Sequence, residues 1–319
     1  MKALGVLIDF EKEEVRDCLN ILLQDKATKH NIIWATDTYA DYGALFADDA
    51  EITPDILKGA YSRLIQPRVA KAANDQNDRT RKHAEVFTPS WIVNQMNNYL
   101  DEEWFGYKDV FNTQINQVWE TTTEPVKFPD GKTWQDYIDS RRLEITCGEA
   151  PYIVSRYDAA TGEIIPVTNR IGLLDRNMRI VNENTQSKED WVKWAIRAFQ
   201  SVYGYEYQGD NLLIARINLL ITFIDYYMYK WHDKPDKVLT KKISNIIAWN
   251  LWQMDGLKGT VPLGKPVEEV VQLSLFGDIT GDSGFFETTV SADEGTECVL
   301  YDWRADRSVP YSELKKGRK

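Results

Sequence analysis

Apolar residues recur at two spacings along this chain, and from about residue 140 onward the two spacings alternate. Stretches with apolar side chains three or four positions apart, which is helical spacing, separate short apolar runs with the length of strands. The helical stretches are residues 191–202, 210–230 and 236–247, and the short runs are residues 143–145, 203–207 and 248–254. Alternating strands and helices are typical of a parallel sheet covered by helices, so we predict an α/β fold.

The part of the chain before this alternation favours helices. Residues 11–26 and 53–71 have apolar side chains at helical spacing, and Pro67 interrupts the second of these stretches. Residues 31–35 form a short apolar run that favours a strand or a buried turn. Thr88 and Pro89 are typical of a helix start, since threonine can cap a helix and proline fits its first turn. One side of that helix is expected to carry the apolar residues Ile92, Val93, Met96 and Leu100.

The composition changes after residue 257, where Gly, Pro, Thr and acidic residues predominate. This change predicts an irregular extension with one late strand at residues 298–303. We therefore expect a helical N-terminal region at residues 1–82, an α/β core at residues 83–257 and a C-terminal extension at residues 258–319.

The overall composition is that of an ordered protein with a substantial core. Hydrophobic residues make up 43% of the 319 residues, and eleven residues are tryptophan. No apolar run reaches membrane-spanning length and the N-terminus lacks a signal-peptide pattern, so we predict a cytoplasmic protein without membrane contact. The few cysteines and histidines are scattered, which predicts a reducing environment and no metal site. They are Cys18, Cys147, Cys298, His30, His83 and His232.

The net charge of −11 disfavours a nucleic-acid partner unless a local basic surface is present. The clearest basic strip runs from Arg63 to Lys82, and a second basic cluster occupies residues 315–319. Both clusters are compatible with contact to DNA, and equally with solvated helix faces and a frayed terminus.

Four groups of residues fall at the ends of predicted strands or at a helix start. They are Phe87, Thr88 and Pro89; Glu144, Cys147 and Gly148; Glu206; and Asp255. Because the carboxyl ends of parallel strands meet at one edge of a sheet, we expect a ligand site there. The glycine turn leaves room for a ligand to approach the backbone. Two acids suit an adenosyl ligand, since one can accept from both ribose hydroxyls and the other from the adenine amino group.

The order of these groups resembles that of the γ-class N6-adenine DNA methyltransferases, which include the modification subunits of type I restriction systems. The motifs that carry this resemblance are FTPSWIVNQM, a strand ending in CG, GYE and MDG. The stretches AEVFTPSW, RLEITCGEAPYIVSRYD, RIGLLDR and YGYEYQGDNLL are similar to bacterial and phage proteins named restriction endonuclease subunit M. The narrower resemblance covers most of the chain, and the wider one covers residues 85–256.

The resemblance implies a Rossmann-like S-adenosylmethionine-dependent methyltransferase fold with a helical N-terminal region and an irregular C-terminal extension. It implies DNA as the substrate and a restriction-modification partner subunit. It also implies a role for each residue of the site. Phe87, Thr88 and Pro89 would hold the methionine part of the cofactor, and Glu144, Cys147 and Gly148 would form the loop around it. Glu206 would bind the ribose and Asp255 the adenine. The family's DPACGSG is EITCGEA here, so that Ala150 stands in place of the second glycine.

The catalytic loop of that family is absent. The family carries an Asp/Asn/Ser-Pro-Pro-aromatic loop that accepts the amino hydrogens of a flipped adenine and stacks on its ring. None of the eleven prolines here is adjacent to another. Asp302, as acceptor of the amino hydrogens, and Trp303, as the stacking residue, are our catalytic candidates, and residues 31–34 are a second candidate in a permuted order. The favoured interpretations are structural. Asp302 and Trp303 are explained as a surface acid beside a packing tryptophan, and residues 31–34 as a buried strand.

One peptide in the extension is similar to the motif with which bacterial replication proteins bind the sliding clamp. It consists of Gln272, Leu273, Ser274, Leu275 and Phe276. Such a peptide buries its last two apolar residues in a pocket while its glutamine forms hydrogen bonds at the rim. An ordinary strand with its leucines inward explains the same pattern.

Three functions therefore remain open. The chain is an N6-adenine DNA methyltransferase of the restriction-modification type, or a catalytically inactive adaptor with the same fold that acts through DNA, the sliding clamp or a partner subunit. The third is a modification subunit that needs a partner chain for target recognition, since no long target-recognition domain is evident in the sequence. The missing loop favours the adaptor, whereas the acids Glu206 and Asp255 favour retained cofactor binding.

Overall fold

The structure is a computed structural model that describes residues 7–71, 88–263 and 295–316. The helices of this part are α1 Glu13–Arg16, α2 Leu19–Leu23, α3 Ser90–Phe105, α4 Trp134–Asp139, α5 Leu173–Asn184, α6 Lys188–Gln200, α7 Gly209–Trp231, α8 Lys237–Asn250 and α9 Tyr311–Lys316. The strands are β1 Asn112–Ile115, β2 Val118–Thr121, β3 Arg142–Ile145, β4 Val202–Glu206, β5 Leu251–Gln253, β6 Val299–Asp302 and β7 Arg307–Pro310.

The strands β3, β4 and β5 form a parallel sheet in that order, with helices packed against it. Glu144 of β3 lies opposite Gly204 of β4, and Glu206 of β4 lies opposite Gln253 of β5. The predicted α/β class is confirmed, and the strands follow one another as the sequence pattern indicates. A small sheet of this kind does not establish a Rossmann-like fold, which stays a prediction.

Helix α7 forms the centre of the core, because apolar side chains occupy most of its positions and nearly all of them are buried. Among the helices of the described residues, α7 alone is long and apolar enough to cross a membrane. However, 83% of its most apolar stretch is buried inside the protein, as in the core helix of a globular fold. Its buried Arg216 donates to Gln24 O at 3.1 Å and to Leu251 O at 2.7 Å. This side chain therefore ties the N-terminal region and β5 to the central helix.

The N-terminal region is less helical than predicted. Two short helices, α1 and α2, replace the single helix expected over residues 11–26, and no α-helix forms over residues 53–71. Gly59 has φ +60°, and Pro67 lacks the N–H that a helix would use, so the chain turns at both residues. The prediction of a helix over residues 53–71 is wrong for this reason.

Helix α3 leaves much of its predicted apolar side exposed. Val93 is buried, but Met96 and Leu100 are 52% and 46% exposed. Tyr99 lies on the same side of the helix and is 61% exposed. The apolar side of α3 is therefore uncovered by the part of the chain that the structure describes.

A buried arginine explains this orientation. Arg176 of α5 donates to the Asp101 carboxylate and to Asn94 Oδ1, the latter at 3.0 Å. It also donates to Asn98 Oδ1 at 2.8 Å, and Tyr137 donates to Asp101 at 2.6 Å. Buried charged groups are costly unless every partner is in place, so this network outweighs the apolar stripe in setting the rotation of α3.

The strands β6 and β7 pair as an antiparallel hairpin. Strand β6 confirms the late strand predicted at residues 298–303. The hairpin packs on α8, where the rings of Tyr301 and Trp249 lie 5.1 Å apart and Trp303 Nε1 donates to Asn250 Oδ1 at 2.7 Å.

Candidate functional site

A cavity of about 290 Å³ lies at the carboxyl ends of β3 and β4. Small-molecule sites in proteins measure roughly 300–1,000 Å³, so this cavity is at the lower end of that range. Residues that the sequence predicts as cofactor contacts line it, namely Thr88, Glu144, Cys147, Gly148 and Glu206. The structure thus brings together residues from the start of α3, the end of β3 and the end of β4.

Glu206 ends β4, and its carboxylate accepts backbone hydrogen bonds from two directions. The Gly148 N–H donates to Oε2 at 2.9 Å, while the N–H groups of Tyr207 and Gln208 donate to Oε1 at 3.0 and 3.1 Å. Burial raises the pKa of Glu206 to about 6, although the backbone hydrogen bonds act in the opposite direction. Glu206 is therefore largely ionised at neutral pH and held in a fixed orientation.

The turn after β3 lies close against β4. The Cys147 N–H donates to Tyr205 O at 2.8 Å, and Gly148 has φ +52°, a left-handed conformation that favours glycine. Gly204 provides the room for this approach, because a Cβ atom there would lie 3.0 Å from Cys147 Cβ. The glycine in the GYE motif therefore has a packing role that positions the cavity wall.

The two carboxyl oxygens of Glu144 differ in their partners among the described residues. Its Oε1 accepts a long hydrogen bond from the Tyr152 N–H at 3.4 Å, and its Oε2 is buried with no hydrogen-bond partner among the described residues. Burial raises the pKa of Glu144 well above its ordinary value, and the charge of Glu206 adds to this effect. A buried acceptor left unpaired costs about 1–3 kcal/mol, so this oxygen would gain from a donor supplied by a ligand.

Ala150 closes the turn by donating its N–H to Cys147 O at 2.7 Å. Its φ is +63°, and its side chain is fully buried. This position, where the sequence differs from the DPACGSG pattern, is thus left-handed in this chain. Alanine there is strained by about 1 kcal/mol relative to an ordinary conformation.

Further residues of the cavity wall were not predicted. The Arg68 N–H donates to Glu149 Oε1 at 2.7 Å, and Tyr157 donates to Oε2 of the same residue at 2.8 Å. Asn218 of α7 donates to Tyr157 Oη at 3.2 Å. Arg68 belongs to the predicted basic strip but is only 8% exposed, so it forms part of the fold rather than an exposed basic surface. Glu149 and Tyr157 lie in the stretch RLEITCGEAPYIVSRYD, whose resemblance is the one sequence signal that points to them.

Two predicted cofactor residues do not line the cavity. Asp255 follows β5 at the same edge of the sheet, where its Oδ1 accepts from the N–H groups of Leu257 and Lys258 at 3.0 and 3.2 Å. The carboxylate therefore stabilises its own turn. Pro89 is the residue immediately before α3, and its ring contributes to the helix start rather than to the cavity.

The catalytic candidates Asp302 and Trp303 lie at the other end of the sheet. Asp302 Oδ1 accepts from Arg141 Nη2 at 3.0 Å, and Arg141 immediately precedes β3. Burial would raise the pKa of Asp302, but hydrogen bonds from the Arg304 and Ala305 N–H groups, together with Arg141, lower it overall. The cavity lies at the carboxyl end of β3, about 10 Å further along the strand. The structure does not bring either candidate to the cavity.

A larger cavity of about 490 Å³ lies beside the β1–β2 hairpin, and none of the predicted site residues lines it. Its arginines are already paired: Arg170 contacts Asp225 at 2.6 Å and Arg179 contacts Glu183 at 2.7 Å. The arginines of this cavity therefore already have carboxylate partners, and no residue predicted from the sequence points to a ligand there.

No protein-family model, curated protein sequence or solved structure matches this chain. Within residues 7–71, 88–263 and 295–316, no group of three or more His, Cys, Asp or Glu side chains is placed to hold a metal ion. Phe87 and the predicted clamp peptide, residues 272–276, lie outside the described residues. Function is therefore inferred from the cavity at the end of β3 and β4.

Proposed function

We propose that this chain binds S-adenosylmethionine in the cavity at the carboxyl ends of β3 and β4, as the cofactor-binding part of an N6-adenine DNA methyltransferase of the restriction-modification type. The observation that supports the proposal is the meeting of Glu144, Gly148 and Glu206 on one cavity wall. These residues come from the carboxyl ends of adjacent parallel strands, which is where nucleotide-type ligands bind in open α/β sheets.

The two acids have different chemical roles in this proposal. Glu206 is the ribose acceptor, since each oxygen of a carboxylate can accept more than one hydrogen bond and this carboxylate is already oriented. Glu144 accepts from the α-ammonium group of the cofactor, because its Oε2 is buried without a partner among the described residues. A nearby positive charge would also lower the pKa of Glu144 toward its ordinary range. When bound, the cofactor supplies an electrophilic methyl group on a sulfonium.

Methyl transfer to adenine requires acceptors for the amino hydrogens and a stacking surface for the flipped base. The chain has no Pro-Pro loop to supply them, and Asp302 and Trp303 are positioned at the amino end of the sheet. We therefore assign cofactor binding to this chain and place the acceptor groups outside its described part.

The second candidate function is an adaptor that binds the cofactor without transferring its methyl group. The position of Asp302, paired with Arg141 away from the cavity, favours this alternative. Such an adaptor would act through DNA, the sliding clamp or a partner subunit. The clamp interaction through Gln272, Leu273, Ser274, Leu275 and Phe276 stays a prediction, and so does a cytoplasmic location.

Isothermal titration calorimetry with S-adenosylmethionine and S-adenosylhomocysteine tests cofactor binding. The unmodified chain should bind both, and Glu206→Ala should weaken binding by about 2 kcal/mol, the value of a good charge-assisted hydrogen-bond pair. Glu120→Ala is the matched control, since Glu120 is exposed on β2 and does not line the cavity. Absence of binding by the unmodified chain would overturn the proposal.

Transfer of tritiated methyl groups onto DNA separates the two functions. Labelled DNA from the purified chain alone would favour a complete enzyme and contradict our placement of the acceptor groups. Cofactor binding without label above background is the result that we expect for the chain alone.

A further inference from the structure

The cavity of about 490 Å³ beside the β1–β2 hairpin is separate from the one at the ends of β3 and β4, and we call it the hairpin cavity. Residues 121–123 at the end of β2, residues 167–170 before α5, and side chains of α5 and α7 form most of its wall. Among the described residues, none lines both cavities. The volume is within the range of small-molecule sites, so the chemistry of the wall decides which kind of ligand fits.

Arg170 brings a donor without a partner to this wall. Its side chain is 4% exposed, its Nη2 donates to Asp225 Oδ2 at 2.6 Å, and its Nε donates to Ile165 O at 3.3 Å. The other terminal nitrogen, Nη1, is buried and has no hydrogen-bond partner among the described residues. A buried donor left unpaired lowers stability, so Nη1 would gain from an acceptor that enters the cavity.

The other two arginines of the wall, Arg176 and Arg179, are fully engaged. In both side chains every guanidinium nitrogen donates to a described residue. Arg176 donates to the Asp101 carboxylate, and Arg179 donates to Glu183 Oε1 at 2.7 Å. These two arginines therefore hold the wall together, which leaves Arg170 as the one that can bind a ligand.

The carboxylates around Arg170 leave room for another anion. Asp225 is shared, because Arg156 Nε lies 3.9 Å from the same Oδ2 that accepts from Arg170. Asp175 also interacts with Arg170 through its charge, but it does not line the cavity. Its Oδ1 is buried without a hydrogen-bond partner among the described residues, so it does not satisfy Arg170 Nη1.

Asn182 of α5 supplies a second donor to the wall. Its Oδ1 accepts from Trp191 Nε1 at 2.6 Å, and an indole nitrogen can only donate, so this contact fixes the orientation of the amide. The Nδ2 group is then the part of the amide that remains for a ligand. Two aromatic residues of α7, the buried Tyr226 and the 50% exposed Tyr229, add an apolar surface to the same wall.

We infer that the hairpin cavity binds a small organic molecule that carries an oxyanion, either a carboxylate or a phosphate. The oxyanion accepts a hydrogen bond from Arg170 Nη1, since a guanidinium matches the geometry of both groups. Asn182 Nδ2 is a further donor for the ligand, and the tyrosines contact its organic part. The site is independent of cofactor binding at β3 and β4, because the two cavities have different walls.

Thermal unfolding of the full chain with phenyl phosphate and with benzoate tests this site. A ligand that binds the folded state raises the midpoint of unfolding. Phenol at the same ionic strength is the control ligand, because it has the ring without the oxyanion. At about 10 mM, a probe that binds with a dissociation constant of about 1 mM should raise the midpoint by about 2–3 °C more than phenol does. A response to phenyl phosphate alone identifies a phosphorylated ligand, and a response to benzoate alone identifies a carboxylate.

Asn182→Asp determines where the probe binds. The aspartate keeps an acceptor for Trp191 and adds a negative charge to the wall, so the effect of the probe should disappear. Asn184→Asp is the matched control, since it adds the same charge two positions later on α5, where the side chain is exposed and does not line the cavity. This control variant should respond to the probe as the unmodified chain does.

Arg170→Lys is the second variant. A lysine amine can stay paired with Asp225, but it provides no second nitrogen in the position of Nη1. The affinity for the probe should therefore fall at least about ten-fold, the value of one hydrogen bond to a charged group. Arg307→Lys is its control, because Arg307 is exposed on β7 and pairs with Glu313 at 3.8 Å.

Two results would overturn the inference. One is a midpoint with both probes that is no higher than with phenol. A water molecule between Arg170 Nη1 and Asp175 Oδ1, or an acidic side chain from outside the described ranges in the cavity, would produce this result because Nη1 would already have its acceptor. The other is a probe effect that is equal in the unmodified chain and in Asn182→Asp, which would show that the probe binds elsewhere.

Discussion

The backbone N–H of Gly148 donates a hydrogen bond to Glu206 Oε2 at 2.9 Å, which ties the turn after β3 to the acid that ends β4. The two residues are 58 positions apart in sequence, and the pairing of β3 with β4 brings them together. The carboxylate is thereby oriented before a ligand arrives. Groups that are ordered in advance lose less conformational entropy on binding, so this pair should contribute strongly to affinity.

Binding of S-adenosylhomocysteine should weaken as the pH falls below about 6, the pKa to which burial raises Glu206. Ribose hydroxyls donate best to an ionised carboxylate. At one pH unit below the pKa only about a tenth of the protein carries ionised Glu206, so the apparent affinity should fall about ten-fold. Calorimetric titrations across this pH range measure the profile. Glu206→Gln is the control, because it cannot titrate and because any titration of the ligand is common to both proteins. An equal decline in both would show that Glu206 is not responsible.

The folding stability of the protein without ligand should increase as the pH falls, whereas ligand affinity decreases. The pKa of Glu206 is about 6 in the folded protein and 4.5 for an ordinary glutamate, so the folded state binds the proton more readily. The stability from this proton is fully present below about pH 4.5 and is lost as the pH rises through about 6. A shift of this size corresponds to about 2 kcal/mol. Urea unfolding of the unmodified protein and Glu206→Gln at both pH values should show their difference changing by that amount. A constant difference would contradict the shift.

Local sequence signals predict the helices that follow β3 well. Ser187 accepts from the Asp190 N–H at 3.1 Å and Asp236 accepts from the Leu239 N–H at 2.8 Å, so α6 and α8 begin at their capping residues. Such contacts lie within one turn, and the sequence contains all the partners. The succession of β3, β4 and β5 in the sheet also follows the sequence pattern, because short apolar runs that alternate with helices leave few alternative topologies.

Contacts between distant residues could not be predicted in the same way. The inner face of α3 depends on Arg176, which is 75 positions from Asp101. Lys71 belongs to the predicted basic strip, but it pairs with buried Asp210 at 3.5 Å across 139 positions. Hydrophobic periodicity carries no information about such pairs. It identifies the apolar side of α3 but not the exposure of that side, and it does not show that part of the basic strip is buried.

Some residues of the candidate site could likewise be predicted from local sequence signals, and others could not. Glu144, Gly148 and Glu206 could be predicted, because strand ends of a parallel sheet share one edge. The placement of Asp302 depends on how the β6–β7 hairpin folds back onto α8, and the sequence of the hairpin does not specify that direction. Asp255 follows its strand as predicted, yet its carboxylate caps the next turn.

Gly204→Ala should lower the free energy of unfolding by about 1–3 kcal/mol, the usual cost of overpacking. The added Cβ would lie 3.0 Å from Cys147 Cβ and 3.2 Å from its Sγ, so the turn or the strand must move. Binding of S-adenosylhomocysteine should weaken together with stability, because the same turn carries Gly148. Cys147→Ala removes the sulfur contact but keeps Cβ, so the double variant should recover part of the loss. No loss in Gly204→Ala would show that the turn is free to shift.

Arg176→Met should lower the free energy of unfolding by about 3–5 kcal/mol, because it leaves the Asp101 carboxylate buried without its cation. Adding Asp101→Asn removes the charge and preserves an acceptor for Tyr137, which donates to Asp101 at 2.6 Å. The double variant should therefore be more stable than Arg176→Met alone. Urea unfolding measures both differences, and a double variant less stable than the single one would contradict the role assigned to this pair.

Ala150→Gly should leave the free energy of unfolding within about 1 kcal/mol of the original, although it removes a buried methyl group. At φ +63° an alanine is strained, and glycine relieves that strain. The free energy gained by relieving this strain offsets two losses, namely the burial of the methyl group and the greater conformational entropy of glycine in the unfolded chain. Ala195 offers the matched control, since it is fully buried within α6. There the same change should cost about 2 kcal/mol, because a helical backbone gains nothing from glycine. Equal losses at both positions would show that the left-handed turn beside the cavity does not strain Ala150.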